Sequence, residues 1–292
     1  MLGQLLRKKG VSIERLAGLC EIQDAGGIMA AAQGDSSRQS QLSRQIKELE
    51  VSLDCQLMDR SSSPSKLNRE GETLAAMGRR FLTDFDRVAG GLSQQKIPLR
   101  IAASESLVLW YLMPTLAKLC LSEGRSIQFL NMRSRDSSRA LSQGRVDLAV
   151  SHSLNPSQGI EVRELAGYGL RLVGIEGGRV KKWGDLKRQA LATLSGNGKM
   201  RKAVEQLVED HPDGPFIALE CTSHIQLLVA CETMGAIAVV PEIALVQERA
   251  KKLPACQVAE LGDERYSVSC GWNEERAKKD DDLRLLIQEV LK

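Results

Sequence analysis

Apolar and polar positions divide the chain into two textures. Up to about Gln95 strand-like alternation is scarce, and apolar residues recur at helical spacing. Ser12 is suited to cap a first helix running to Ile22, with Ile13, Leu16, Leu19 and Cys20 on one face. GGIMAAA at 26–32 reads as a short helix of small residues. QGDSS then breaks the pattern, with Gly34 suited to a tight turn and Ser36 or Ser37 to an N-cap. The next helix, 37–53, places Leu42, Ile46, Leu49 and Leu53 on its buried side. Two short helices joined by such a turn form the helix-turn-helix pattern. CQLMDRSSSPSKLN at 55–68 adds two short extended pieces around a Ser/Pro tip, the pattern of a β-hairpin wing. From Arg69 to about Gln95 one long helix is predicted. Leu74, Gly78, Phe81, Phe85, Val88 and Leu92 alternate four and three apart along it. That stripe fits packing on its own domain, and fits a dimer seam slightly better.

From Pro98 the texture changes. Strands are predicted at LRIAAS (99–104), SIQFLNM (126–132), VDLAVSH (146–152), GLRLVGI (169–175), ALATLSG (190–196), FIALEC (216–221) and AIAVVP (236–241). Helical segments lie among them, at about 107–121, up to Gly144, after Lys199 and at about 225–233. Such alternation predicts an α/β domain with largely parallel sheets, and the break falls near 96–98.

Composition narrows the function. The 292 residues have room for two domains, and 42% apolar content excludes wholesale disorder. The net charge of +3 is too small to imply a nucleic-acid partner, so any such charge must be local. It is local: residues 38–47 hold Arg38, Arg44 and Lys47 with no acid, among Gln39, Ser40, Gln41, Ser43 and Gln45. Arg can fork onto guanine, Gln can pair with adenine, and Ser reaches a base edge or a phosphate. Arg60, Lys66 and Arg69 form a second basic cluster in the wing. The candidate DNA-binding set is Ser37, Arg38, Gln39, Ser40, Ser43, Arg44, Lys47, Arg60 and Lys66. On charge alone a solvated helix face explains the segment better; the turn, the spacing and the wing reverse that balance.

Other classes find little support. No apolar run approaches the roughly 20 residues that span a bilayer, and MLGQLLRKKG lacks the apolar core of a secretory peptide. A cytoplasmic protein without membrane contact is expected. The seven cysteines include no C-x-x-C, and Cys221 and Cys231 lack the placement of a thiol switch. His152, His211 and His224 do not group with them as zinc ligands. No G-x-S-x-G, phosphate loop or dinucleotide motif stands in context, and GNGKMRK (196–202) lacks the needed spacing. Neither enzyme activity, cofactor nor metal is expected.

Residues 13–84 resemble the winged helix-turn-helix domain of LysR-type transcriptional regulators. The resemblance rests on Ala31-Ala32, Gln39, Leu42-Ser43-Arg44-Gln45-Ile46, Leu49-Glu50, Leu53, Leu57, Arg60, Leu67 and Gly71. LRIAAS, LMPTLAKL, GRVDLAV (144–150) and MGAIAVVPE (234–242) extend it over nearly the whole chain. Asp35 departs from the family's leucine, Asp54 from its glycine, Met58 from its phenylalanine and Asn68 from its threonine. Arg38 and Ser40 stand where Ser and Pro are usual.

The resemblance implies an α/β multidomain protein. A winged helix-turn-helix domain (1–68) and a long linker and dimerisation helix (69–97) would precede an effector-binding domain (98–292) like a periplasmic binding protein. Its two α/β subdomains would comprise 98–164 with 268–292, and 165–267, with crossings near 163–166 and 266–269. Ligands in such folds sit near strand C-termini and helix N-termini. By position the candidates are Ser104, Ser106, Arg133, Ser134, His152, Ser195, Asn197, Thr222, Ser223 and His224. The implied partners are a double-stranded DNA operator, a small effector (an anion being one class), a second copy in a homodimer or homotetramer, and RNA polymerase as a further candidate. The alternative is a small-molecule-binding protein whose N-terminal domain serves assembly only.

Overall fold

In the computed structural model the described residues are 10–61, 64–92, 98–122, 126–157, 159–175, 180–246, 252–262 and 265–292. The expected wing tip at 62–63, the helix tail at 93–95 and positions 96–97 of the break lie outside them. Helix starts are set by caps. Ser12 accepts from the Arg15 amide at 3.2 Å and opens α1 (Ile13–Ala25), which ends on Gly26 in the left-handed region. After the short α2 (Ile28–Ala32) comes α3 (Ser36–Leu53). Its cap is Asp35, not Ser36 or Ser37: one carboxylate oxygen accepts from the amides of Ser37 at 2.8 Å and Arg38 at 3.1 Å. The helix therefore begins one residue earlier than its polarity suggested. Leu42, Ile46 and Leu49 are buried as expected. Leu53 is only half-buried, and Gln45 and Glu50 are buried instead.

Two strands, β1 (Met58–Asp59) and β2 (Lys66–Leu67), pair antiparallel as the wing. Asn68 then caps α4 (Arg69–Leu92) by accepting from the Gly71 amide at 2.8 Å. A Cβ at Gly71 would collide with the Leu57 carbonyl, so only glycine lets this helix start against the wing. Leu19, Ile22, Ala31, Leu42, Ile46, Leu49, Leu57, Met58 and Ala75 form the N-terminal core. The stripe on α4 is packed at its start and exposed further along. Leu74 and Gly78 pack inside this domain, whereas Phe81, Phe85 and Val88 are 49%, 53% and 68% exposed.

Beyond Pro98 the chain builds two five-stranded sheets. The first runs β4 (Ile127–Asn131), β3 (Leu99–Ala103), β5 (Leu148–Ser151), β12 (Tyr266–Asn273), β6 (Ile160–Tyr168). The second runs β11 (Ala255–Cys256), β7 (Leu170–Val173), β10 (Ile237–Pro241), β8 (Ala190–Leu194), β9 (Phe216–Cys221). Helices α5 (Met113–Ser122), α6 (Ser134–Ser142), α7 (Lys199–Asp210), α8 (His224–Met234), α9 (Glu274–Lys279) and α10 (Asp281–Val290) accompany them. The sheets are mixed, not largely parallel. β3 is parallel to β4 and β5, and β8 to β9 and β10, but β12 runs antiparallel to β5 and β6, and β7 to β10 and β11. The chain leaves the first sheet at Gly169, because β6 stays paired with β12 as far as Tyr168. The expected 107–121 helix is in fact a helical turn (Glu105–Leu107), a π-helical segment (Val108–Leu112) and α5.

Within the GRVDLAV run, Asp147 is buried, accepts from the Arg100 amide at 2.7 Å and pairs with the Arg276 guanidinium. That pair fastens α9 to the first sheet. The turn after α6 also touches the N-terminal domain. Gln143 donates to Glu72 at 2.8 Å, and Arg145 stands 3.7 Å from Asp24.

Candidate functional site

The exposed side of α3 carries Ser36, Ser37, Gln39, Ser40, Ser43, Arg44 and Lys47. Its opposite side buries Leu42, Ile46 and Leu49, so the polar row faces outward because the apolar one is fixed inward. Arg44 and Lys47 rim a shallow depression of about 450 Å³, which Gly10, Arg15, Glu48, Val51 and Ser52 complete. Lys66 is exposed on β2 of the wing.

Two predicted cations are engaged elsewhere. Arg38 turns back to pair with Glu21 of α1 and donates to Gln41 at 2.9 Å. Arg60 donates to Glu50 at 3.0 Å. The other oxygen of Glu50 accepts from the amides of Leu57 at 2.8 Å and Met58 at 3.2 Å. A single buried carboxylate thus ties the end of α3 to the wing, while Arg60 itself stays exposed. Sequence reading passed over Glu21 and Glu50 as partners; the surplus of basic residues drew attention to the cations alone.

The second candidate region lies where the two sheets approach. Trp110 sits in the π-helical segment that follows β3, yet it packs into the core of the second sheet with Val173, Cys221, Leu227 and Ala238. Its ring meets His224, the first residue of α8, edge-on at 5.3 Å between centroids. The indole Nε1 and His224 Nε2 are both buried without a hydrogen-bond partner. Beside them the Tyr168 hydroxyl lies 3.2 Å from His152 Nε2, and Tyr168 stacks on Tyr266 at 6.0 Å. Burial pulls His224 down to about 4, and the charge of His152 pushes in the same direction. His152 is lowered by burial too, against the raising effect of its bond to the Ser267 carbonyl. Both imidazoles are therefore neutral near pH 7.

The other predicted residues sit at the ends of neighbouring strands and the starts of helices. Ser104 and Ser106 face each other at 3.2 Å ahead of Trp110. Ser223 caps α8, and Thr222 donates to Gln226. Ser195 follows β8 and donates its amide to the Cys221 carbonyl at 2.7 Å, with exposed Asn197 two residues on. Arg133 is the N-cap and Ser134 the first residue of α6, which follows β4, the outer strand of the first sheet. Trp110 and Tyr168 were not foreseen. An indole four residues after Ser106, and a tyrosine beside the change of sheet, were the available signals.

Among the described residues no group of three or more His, Cys, Asp or Glu is placed to hold a metal ion, and no helix is long and apolar enough to cross a membrane. Cys20, Cys221, Cys231 and Cys270 have thiols raised by burial, Cys231 to about 12, so none is poised as a thiolate.

These features define a winged helix-turn-helix protein with a two-lobed α/β domain. The sequence model of the bacterial regulatory helix-turn-helix protein, lysR family, matches residues 13–72, and that of the LysR substrate binding domain matches 93–291. The chain belongs to the LysR family of transcriptional regulators. It is 28% identical to the HTH-type transcriptional regulator MetR of Salmonella typhimurium over 165 residues, 56% of this chain and 52% of MetR. It is 28% identical to a probable nitrogen assimilation transcriptional activator of Synechocystis over 143 residues, 47% of this chain and 46% of the relative. The chain thus spans about half the length of the curated relatives it matches. Full-length LysG of Corynebacterium glutamicum, solved with bound effector Arg, superposes with a TM-score of 0.63 at 20% identity, covering 96% of this chain and 98% of LysG. CbnR in complex with its target DNA gives 0.53 at 20% identity, covering 96% and 99%. At these identities the likeness concerns the fold.

Proposed function

We propose that this protein is a sequence-specific, DNA-binding transcriptional regulator that responds to a small effector held between its two sheets. The observation that carries this reading is the outward face of α3. Hydroxyl, amide and cationic side chains stand in adjacent rows beside a wing, on a helix whose other side is core. Ser37, Gln39, Ser40, Ser43, Arg44 and Lys47 meet the DNA, with Lys66 on a flanking phosphate. Arg38 and Arg60 position α1 and the wing against α3. The protein is a cytoplasmic binding protein and not an enzyme. Its units are 1–68, the linker 69–97 and the effector domain 98–292; because β6 and β12 stay paired in the first sheet, the lobes divide at Gly169 and Tyr266, as 98–168 plus 266–292 and 169–265, and not near 164 and 268. Phe81, Phe85 and Val88 form the seam between two copies, which suits paired half-sites.

The effector contacts are Ser104, Ser106, His152, Thr222, Ser223 and His224, with Trp110 and Tyr168 beside them. Arg133 and Ser134 at the start of α6, with Ser195 and Asn197 after β8, complete the candidate set. Apart from Arg133 the candidate side chains are hydroxyls, an amide, neutral imidazoles and aromatic rings, which suits a polar or aromatic effector. Capture of fragments of the source genome by the purified protein tests the reading. One recurrent sequence motif is expected; recovery of fragments sharing no motif contradicts it.

A further inference from the structure

The N-terminal end of α3 is unusual for a helix that meets DNA, because its exposed first turn presents a carboxylate. Asp35 is exposed, and both cap bonds go to the same oxygen, Oδ1, leaving Oδ2 for an outside donor. Arg38, the one cation nearby on this turn, is turned back onto Glu21. Asp35, Gln39 and Ser43 lie four residues apart and are all exposed, so they share one row of the helix. The cations Arg44 and Lys47 come only in its later turns. The surface of α3 is thus polarised from an acceptor end to a cationic end.

In helix-turn-helix proteins it is the N-terminal residues of the second helix that reach base edges in the major groove. A carboxylate there is repelled by phosphate, but it accepts a hydrogen bond from the exocyclic N4 amino group of cytosine. We propose that Asp35 is a specificity-determining residue that selects a cytosine in the operator and suppresses binding to arbitrary duplex. This rests on the DNA-binding reading above.

Asp35→Asn is the direct variant. Asparagine caps a helix as well as aspartate, so the fold is retained while the charge is lost. Asp35→Ser is a second cap without a carboxylate. Asp54→Asn removes the same charge from the far end of α3 and serves as control. Each full-length variant is used to select sites from a randomised duplex pool, and is titrated with random-sequence duplex over a range of salt. Both Asp35 variants are expected to lose discrimination at one base pair by about 5- to 150-fold, the usual range for a lost base contact, and to bind random duplex more tightly. The Asp54 control is expected to keep the wild-type preference. Wild-type and Asp35-variant sites that agree at every position, with equal affinity for random duplex, overturn the proposal while leaving the DNA-binding reading intact. A wild-type protein that enriches no sequence overturns both.

Discussion

Trp110 and His224 meet edge to face with their ring centroids 5.3 Å apart, although they belong to opposite lobes of the α/β domain. The indole reaches across because the chain after β3 widens into a π-helical segment, a device that often marks functional sites. Both rings bury a nitrogen that has no partner, and each such atom costs about 1–3 kcal/mol. The contact joins the lobes through the core of the second sheet.

Acid should weaken this contact. His224 is held near 4 in the folded protein, against about 6.5 in an unfolded chain. As pH falls below about 6.5 the unfolded chain takes up a proton that the folded one refuses, so stability is lost progressively down to about pH 4. The loss is on the order of 3 kcal/mol from this residue, with His152 acting in the same direction. Trp110→Ala exposes the imidazole, and its NMR titration should move up from about 4 toward 6.5. An unchanged titration in that variant would show that the indole does not shield it.

Glu50 is the joint between α3 and the wing. Glu50→Ala leaves the buried amides of Leu57 and Met58 without an acceptor and releases Arg60. A destabilisation of about 2–4 kcal/mol in urea unfolding is expected. Arg60→Ala, acting on the exposed partner, should cost about 1 kcal/mol or less. Equal losses in the two variants would place the stabilisation in the ion pair and not in the amide bonds.

Asp54 ends α3 with φ at +53°, where the family resemblance led us to expect glycine. A non-glycine residue in this region is strained by about 1 kcal/mol. Asp54→Gly should therefore raise the unfolding midpoint with no change in DNA affinity. A lower midpoint would mean that the aspartate side chain makes a compensating bond.

Helix positions were legible because the apolar spacing of Leu42, Ile46 and Leu49 admits one inward face. The departures from the family pattern were legible as exceptions but not as solutions. Asp35 replaces a core leucine by becoming a cap, Asn68 caps α4, and Asp54 takes up the left-handed turn itself. β6 was missed because Glu161, Arg163 and Glu164 interrupt its apolar positions, a pattern open to a sheet's outer strand. Its pairing with β12 joins segments about 100 residues apart, which no local pattern encodes. The joining of Trp110 to His224 is hidden for the same reason, and the pairings of Arg38 and Arg60 depend on which helix faces their acids present.

Binding of the full chain to duplex DNA over a range of salt tests the central claim most directly. Wild type should bind with an affinity that falls linearly on logarithmic axes, by about 0.9 for each phosphate neutralised. Arg44→Ala should weaken binding to a selected site by about 1–3 kcal/mol without unfolding the protein. Absence of duplex binding by the wild type at low salt would contradict the account, and would leave the N-terminal domain a role in assembly alone.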